Sequence, residues 1–517
     1  MHSIIILFIC YLLYEYNITR IRILYSQQSQ LPLASAISNL SLPKYLLLHL
    51  REKLLYKIKM AEGENDVENR SHVLLLPYPS QGHIHPMLDF GKRLAFHGLQ
   101  PTLATTRFIL SSTNPDPGPV RIAPISDGFD RGGYYEINSV SAYLARLEIT
   151  GSETLDNLLK SESADGQPVK VLVYDAFLPW AGEVARQNGV AAAAFFTQPC
   201  AVNVVYGHTW EKRVKVPVKT SPFVVPGLPA LEHEDLPSFM LGAGPYPAYL
   251  EMVVAQFKYL HKADDVLVNS FYELEPEEAK YMESEWRGKT IGPTVPSSYL
   301  DNHLSSDTSY GFHLYTPTTT PCIAWLDSKP PHSVVYTSFG SLSCLDPAQM
   351  EEVAYGLYDC GKPFLWVVRS VEAHKIPENF AEKVKDRGYI VSWSPQLEVL
   401  AHEAVGCFFS HCGWNSTVEA LVLGMPMVGI PQWTDQPMNA KYVEGVWKVG
   451  KRVKPDSGGL VKKEEIVRCI SEVMEGERSE EYRRNAKTWR EKAQEAMREG
   501  GSSYRNIAEF AAKYRAQ

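Results

Sequence analysis

The chain has 517 residues, enough for two to four domains at about 150 residues each, so no disulfide or metal staple is needed to hold a small core. With 45% hydrophobic and 21% charged residues it is neither disordered, collagen-like nor a polytopic membrane chain. Its 51 Lys plus Arg against 59 Asp plus Glu give a net charge of -8, and no basic tract offers a phosphate-backbone footprint, which excludes nucleic acid as a partner.

Residues 1–59 differ in composition from the rest. They hold seven basic and two acidic residues, a net +5, which leaves -13 for residues 60–517 out of the total of -8. Ile4–Leu13 is an apolar run well short of the ~20 residues a membrane-spanning helix needs. No Lys or Arg precedes it, as a secretory signal would require. Two readings stay open: an extension without a folded role ahead of a working start at Met60, or a weak membrane anchor. The eight cysteines are scattered without a CxxC pair, which predicts reduced thiols in a cytoplasmic protein.

From Ser71 to Pro77 the apolar run SHVLLLP predicts a first strand buried on both faces and therefore parallel to its neighbours. A helix is expected over Pro86–His97, then strands at Pro101–Thr105 and Arg121–Ile125, and VKVLVYDAF at Val169–Phe177 leading into a helix through Arg186. Asp265–Ser270 is a further strand, followed by an acidic helix over Glu273–Ser284. Pro296–Pro321, rich in Ser, Thr, Pro and Tyr, reads as the interdomain linker.

The second half restarts the same grammar. Strands are expected at Ser333–Phe339, Phe364–Arg369, Tyr389–Trp393, Gly406–Ser410 and Met427–Ile430. Helices are expected at Pro347–Tyr358, Gln396–Glu403, Ser416–Leu423, Lys462–Arg498 and Arg505–Tyr514. Short apolar strands alternating with helices imply βαβ crossovers. The predicted fold class is therefore α/β: two Rossmann-like, doubly wound parallel-sheet domains, at 60–305 and 322–500, joined by 306–321 and facing an interdomain cleft.

The segment Trp393–Gln436 holds the densest chemistry. At its centre a strand ends in His411-Cys412-Gly413-Trp414, and Asn415-Ser416 open a helix that carries Glu419 one turn on. Amides at a helix start form an anion site, and Gly413 lets backbone approach closely. Trp393 can present an aromatic face to a planar base, Glu419 a bidentate acceptor to a diol, and Asp435-Gln436 a carboxylate and an amide to a ring of hydroxyls.

A base is expected in the first half, where Pro79–Pro86 (PSQGHIHP) forms a loop between strand and helix at the carboxyl edge of the sheet. Histidine titrates near neutrality, and His83 and His85 are equal candidates on this ground alone. Asp175, at the end of another strand, is the acid that would orient the imidazole. Gly242-Ala243-Gly244 lacks a preceding strand and is no dinucleotide fingerprint, and neither a G-x-S-x-G elbow nor an HExxH helix occurs.

Trp393–Gln436 resembles the 44-residue signature box of the plant secondary-product UDP-glycosyltransferases (family 1, GT-B), in length and at its marked positions. The resemblance extends from about Ser71 to the C-terminal helices. It implies a GT-B pair of domains with a C-terminal helix, 501–517, returning to the N-terminal domain. It implies that Trp393 stacks on uracil, that Gln396 and Glu419 contact ribose, and that His411, Asn415 and Ser416 hold the diphosphate with Ser341 of the TSFGS turn. Trp414, Asp435, Gln436 and Thr197 would face the sugar, and Gln436 is associated with glucose. The family pattern Gly-His-x-x-Pro selects His83 as base and matches Asp175 as its acid.

The implied activity is that of an inverting glucosyltransferase, EC 2.4.1.-, using UDP-glucose as co-substrate and no metal. A small hydrophobic acceptor would receive glucose on a hydroxyl, carboxylate or thiol. The implied protein is a monomer without stable membrane insertion. The runs Val171–Arg186 and Leu267–Glu278 resemble the subgroup of salicylate, other carboxylate and thiohydroximate glucosyltransferases. The acceptor wall is expected from the loops Ser126–Tyr143 and Pro199–Pro229, with Tyr134, Tyr135, Tyr143, Phe196, Tyr206 and Trp210 as its aromatics. A non-catalytic UDP-sugar-binding protein, an epimerase and a hydrolase of the same architecture are the alternatives.

Overall fold

Apolar runs with no polar face can be buried only between two layers of helices, and that is how they are used. The computed structural model of the protein describes residues 70–515 except Ala243 and Pro245. The extension expected over residues 1–59 lies outside the described residues. From Arg70 onward the chain folds as one compact unit that holds two sheets.

The first sheet contains β1 (His72–Leu76), β2 (Gln100–Thr106), β3 (Arg121–Ile125), β4 (Val169–Asp175), β5 (Ala191–Phe196), β6 (Asp265–Val268) and β7 (Gly288–Thr290). Their spatial order is β3-β2-β1-β4-β5-β6-β7, and every pairing is parallel. The second contains β8 (Val334–Ser338), β9 (Phe364–Val367), β10 (Gly388–Val391), β11 (Val405–Ser410), β12 (Met427–Gly429) and β13 (Gly450–Arg452) in the order β10-β9-β8-β11-β12-β13, again all parallel. Strand order reverses between β1 and β4 in one sheet and between β8 and β11 in the other. Ligands bind outside the carboxyl ends of strands at such switch points.

Three strands were not legible. β5 is AAAAFF, a sequence whose alanines favour helix, yet its place between β4 and β6 overrides that preference. β7 and β13 have three residues each, too few to show a period. The helix Val140–Ala164 was also missed; Tyr143, Leu147, Gly151, Leu155 and Leu159 recur every four residues on its buried face. The helical pattern over Lys462–Arg498 is two helices, Lys463–Glu475 and Ser479–Met497, divided at Gly476.

One correction bears on function. The segment PSQGHIHP is not a loop up to Pro86, because the helix begins at Gln81 and runs to Phe96 with Pro86 inside it. His83 therefore sits in the first helical turn. The C-terminal helix Ser502–Tyr514 lies against the first sheet: Ser503 Oγ donates to Gly292 O, Asn506 Nδ2 to Thr290 O, and Tyr514 OH to Asp265 Oδ2 at 2.5 Å. Among the described residues no helix is long and apolar enough to cross a membrane.

Candidate active site

Both switch points open on one cavity of about 420 Å3, lined from β1, β4, β5 and their following segments on one side and from the turns after β8, β10, β11 and β12 on the other. Of the thirteen catalytic and UDP-sugar residues singled out in the sequence, twelve border it directly, among them His83, Thr197, Trp393, His411 and Gln436; Asp175 lies behind His83.

His83 Nδ1 lies 2.5 Å from Asp175 Oδ2. Asp175 is fully buried at the end of β4, and its carboxylate also accepts the backbone N–H of Tyr78 (3.2 Å) and of Phe177 (3.0 Å). Those two amides lock its orientation, and the carboxylate in turn fixes the imidazole with Nε2 free. The helix Pro179–Gln187 starts only after Leu178, so Asp175 is not its cap. Phe177 and Tyr78 flank the ring at centroid distances of 4.8 and 5.3 Å. Thr197 Oγ1 is 3.3 Å from His83 Nδ1.

His85 also borders the cavity but has different surroundings. Its Nε2 is 2.6 Å from Phe312 O and its ring stacks on Tyr310 at 4.1 Å. Burial lowers its pKa to about 3, so it stays neutral, and its bond ties Phe312 to the helix.

On the opposite wall, the helix Trp414–Leu423 has no side-chain cap, which leaves the N–H groups of its first turn available to an anion beside the cleft. His411 precedes that turn. Its imidazole sits between Gly340 and Gly413, where a Cβ would meet Nε2 at 2.7 and 2.4 Å respectively. Burial, with the nearby Arg369 charge, lowers its pKa to about 4, so at neutral pH it is uncharged. Arg369 donates to Ser341 O at 2.7 Å and to Ser343 O, pinning the TSFGS turn that carries Ser341.

Glu419 is buried, and burial raises its pKa. Its Oε1 accepts from Tyr310 OH and its Oε2 from Gln396 Nε2, both at 2.6 Å. Gln396 also donates to Ser416 Oγ at 3.0 Å, so Gln396, Ser416 and Glu419 form one polar ledge. Trp393 borders the cavity with Tyr315 stacked on its indole at 4.5 Å. Tyr315 itself does not line the cavity, so it backs the indole from outside. Tyr315→Ala should weaken UDP binding by about 2- to 10-fold, since an aromatic pair contributes about 0.5–1.5 kcal/mol; calorimetric titration with UDP measures this, and unchanged affinity would remove the indole from the binding surface.

Asp435 Oδ2 accepts from Asn439 Nδ2 at 2.6 Å, and burial raises its pKa. Gln436 Oε1 accepts the backbone N–H of Gln432 (2.9 Å) and Trp433 (3.2 Å), which leaves its amide N–H groups for a ligand. Trp414 borders the cleft, but its indole N–H is not available to a sugar, being donated to Asn269 O at 2.7 Å. Asn415 Nδ2 donates to Gly82 O at 2.8 Å.

The aromatics that border the cavity differ from those expected. Phe196 and Tyr206 are fully buried in the core, Tyr135 and Trp210 are exposed, Tyr143 donates to Asp127 Oδ2 at 2.8 Å, and none of the six expected aromatics borders the cavity. Tyr78, Phe177, Phe239, Tyr249, Met252 and Trp433 border the cavity instead. Tyr78 and Phe177 follow β1 and β4 directly, a position that signals cleft exposure; Tyr249, Met252 and Trp433 arrive only through long-range packing. Tyr310 and Arg369 were also missed, although Arg369 stands just past the carboxyl end of β9.

The chain is similar to known proteins over most of its length. Residues 310–489 match the family described as UDP-glucoronosyl and UDP-glucosyl transferase. The chain is 54% identical over 456 residues to UDP-glycosyltransferase 79 of Oryza sativa subsp. japonica, covering 86% of this chain and 97% of that protein. The crystal structure of Os79 from O. sativa with UDP superposes with a TM-score of 0.83 at 54% identity, over 86% of this chain and all of the other. Os79 with U2F and a trichothecene superposes with a TM-score of 0.80 at 52% identity, over 86% of this chain and 100% of that one.

Proposed function

This chain belongs to the plant family 1 UDP-glycosyltransferases, and on that premise we propose that it transfers glucose from UDP-glucose to a small hydrophobic metabolite with inversion at the anomeric carbon. UDP-glucose is the co-substrate of this family, which works without a metal. The observation behind the catalytic assignment is the His83–Asp175 pair, with His83 Nε2 free and bordering the same cavity as Trp393–Gln436.

In this reading uracil stacks on Trp393, ribose hydroxyls meet the Gln396–Glu419 ledge, and the diphosphate takes the uncapped helix start together with His411, Asn415, Ser416 and the Ser341 turn. Gln436, Asp435 and Thr197 hold the hexose. The acceptor hydroxyl donates its proton to His83 Nε2 as its oxygen attacks C1 from the face opposite UDP. Asp175 stabilises the imidazolium, and the helix dipole stabilises charge on the departing UDP. The product is a β-glucoside, or a glucose ester where the acceptor is a carboxylate.

The acceptor is proposed to be an aromatic or fused-ring metabolite, which the wall of Tyr78, Phe177, Tyr249, Met252 and Trp433 would enclose. Incubation with UDP-glucose and a panel of phenols, salicylate, a thiohydroximate and a trichothecene tests this. The carboxylate and thiol follow the resemblance of Val171–Arg186 and Leu267–Glu278, and the trichothecene follows the rice relative. A mass gain of one hexose on at least one compound, unaffected by EDTA and stronger than with UDP-galactose, is expected; UDP-glucose consumed with no acceptor modified would reject transfer in favour of hydrolysis.

A further inference from the structure

In an α-helix the amide of each residue returns to the carbonyl four residues before it. Pro86 lies inside the helix Gln81–Phe96 and has no amide N–H for the carbonyl of Gly82. That carbonyl instead accepts the side-chain Nδ2–H of Asn415, at 2.8 Å, from the start of the helix that follows β11. The bond joins the two switch points directly. The Gly82 carbonyl belongs to the peptide plane whose nitrogen is that of His83, so Asn415 grips the backbone from which the imidazole hangs. Asp175 grips the other end, through Nδ1 at 2.5 Å.

An asparagine amide has two N–H donors and one acceptor. One N–H is committed to Gly82, which leaves the second N–H for an anionic oxygen in the cavity that Asn415 borders. We propose that Asn415 is a positioning residue for His83 as well as a diphosphate ligand, and that Pro86 is the feature that makes the Gly82 carbonyl available to it. Donor binding and base alignment then share one side chain: a diphosphate that immobilises the Asn415 amide also fixes the first turn carrying His83. This inference rests on His83 being the base, and it goes further in assigning Asn415 and Pro86 a role in proton abstraction.

The test compares two acceptors on the full-length enzyme: a phenol that must lose its proton, and a thiophenol largely ionised at assay pH. Asn415→Ala should lower kcat for the phenol more than for the thiophenol by about 10-fold or greater, since small misplacements of a catalytic group cost up to about 100-fold. Loss of a phosphate contact alone would lower both equally. Pro86→Ala, which restores an amide to Gly82 and leaves the phosphate site untouched, should reduce kcat for the phenol severalfold with the UDP dissociation constant unchanged. Equal losses for both acceptors in Asn415→Ala, or wild-type phenol kinetics in Pro86→Ala, overturn the proposal. His83→Ala run alongside separates the two levels: if it retains phenol turnover, the base assignment itself has failed, whereas if it loses turnover and the other variants show no acceptor dependence, only the Asn415 link has.

Discussion

His83→Ala should slow glucose transfer to a phenol or alcohol by about 100- to 10,000-fold, the range over which a positioned general base acts. UDP affinity should remain near the wild-type value. The separation follows from geometry: His83 approaches Asp175, Thr197, Tyr78 and Phe177, all in the first half of the chain. The side chains expected around UDP all come from the second. Asp175→Asn should lose a similar factor, because an amide in place of the carboxylate can neither hold the same tautomer nor stabilise the imidazolium. The double variant should be little worse than either single one, since residues acting as a unit are not additive. An acceptor already ionised at assay pH should lose much less. Initial rates with a matched phenol and thiophenol measure all of this, and full phenol turnover by His83→Ala would assign the proton to another group.

Gly413→Ala should weaken UDP binding by about 5- to 150-fold, the affinity equivalent of the roughly 1–3 kcal/mol that overpacking costs. The backbone at Gly413, φ -60° and ψ 146°, suits alanine, so no conformational strain arises. What forbids the methyl is His411, whose Nε2 and Cε1 lie 2.4 and 3.0 Å from where it would sit. His411 is also hemmed in by Gly340, so it cannot yield without leaving the cleft wall. At Gly340 the backbone itself, φ +75°, adds strain to the same clash. On a His411→Ala background the Gly413→Ala substitution should cost far less, because the space is vacated. Calorimetric titration with UDP, with circular dichroism to confirm folding, reads out each variant. Wild-type affinity in Gly413→Ala would place His411 away from the diphosphate.

The site was legible where its chemistry is local in sequence. His411, Asn415, Ser416 and Glu419 lie on one turn and the helix after it, so their spacing alone brings them to one place. Choosing between His83 and His85 was not possible from residue types, since both are histidines near a strand end. Both border the cavity, and their bonding partners differ: His85 Nε2 is held on Phe312 O with its ring on Tyr310, whereas His83 is held through Nδ1 by Asp175. Which aromatics border the cavity was hidden in the sequence for the same reason. Whether Phe196 or Tyr249 meets the cavity depends on how the helix Cys200–Trp210 and the helix Pro247–Ala255 pack, not on their composition.

By itself the sequence determined the alternation of buried parallel strands and helices in two halves, while the strand order and its two reversals came from the tertiary structure. The sequence also determined the run of donor groups from a strand end into the helix that follows, because period and motif spacing are properties of contiguous residues. Only the tertiary structure decided that Pro86 sits inside a helix rather than at its start. A proline removes a hydrogen bond wherever it stands, and whether the helix tolerates it depends on what else reaches the orphaned carbonyl. Here that is Asn415, 333 residues away in the chain, a distance no local pattern records.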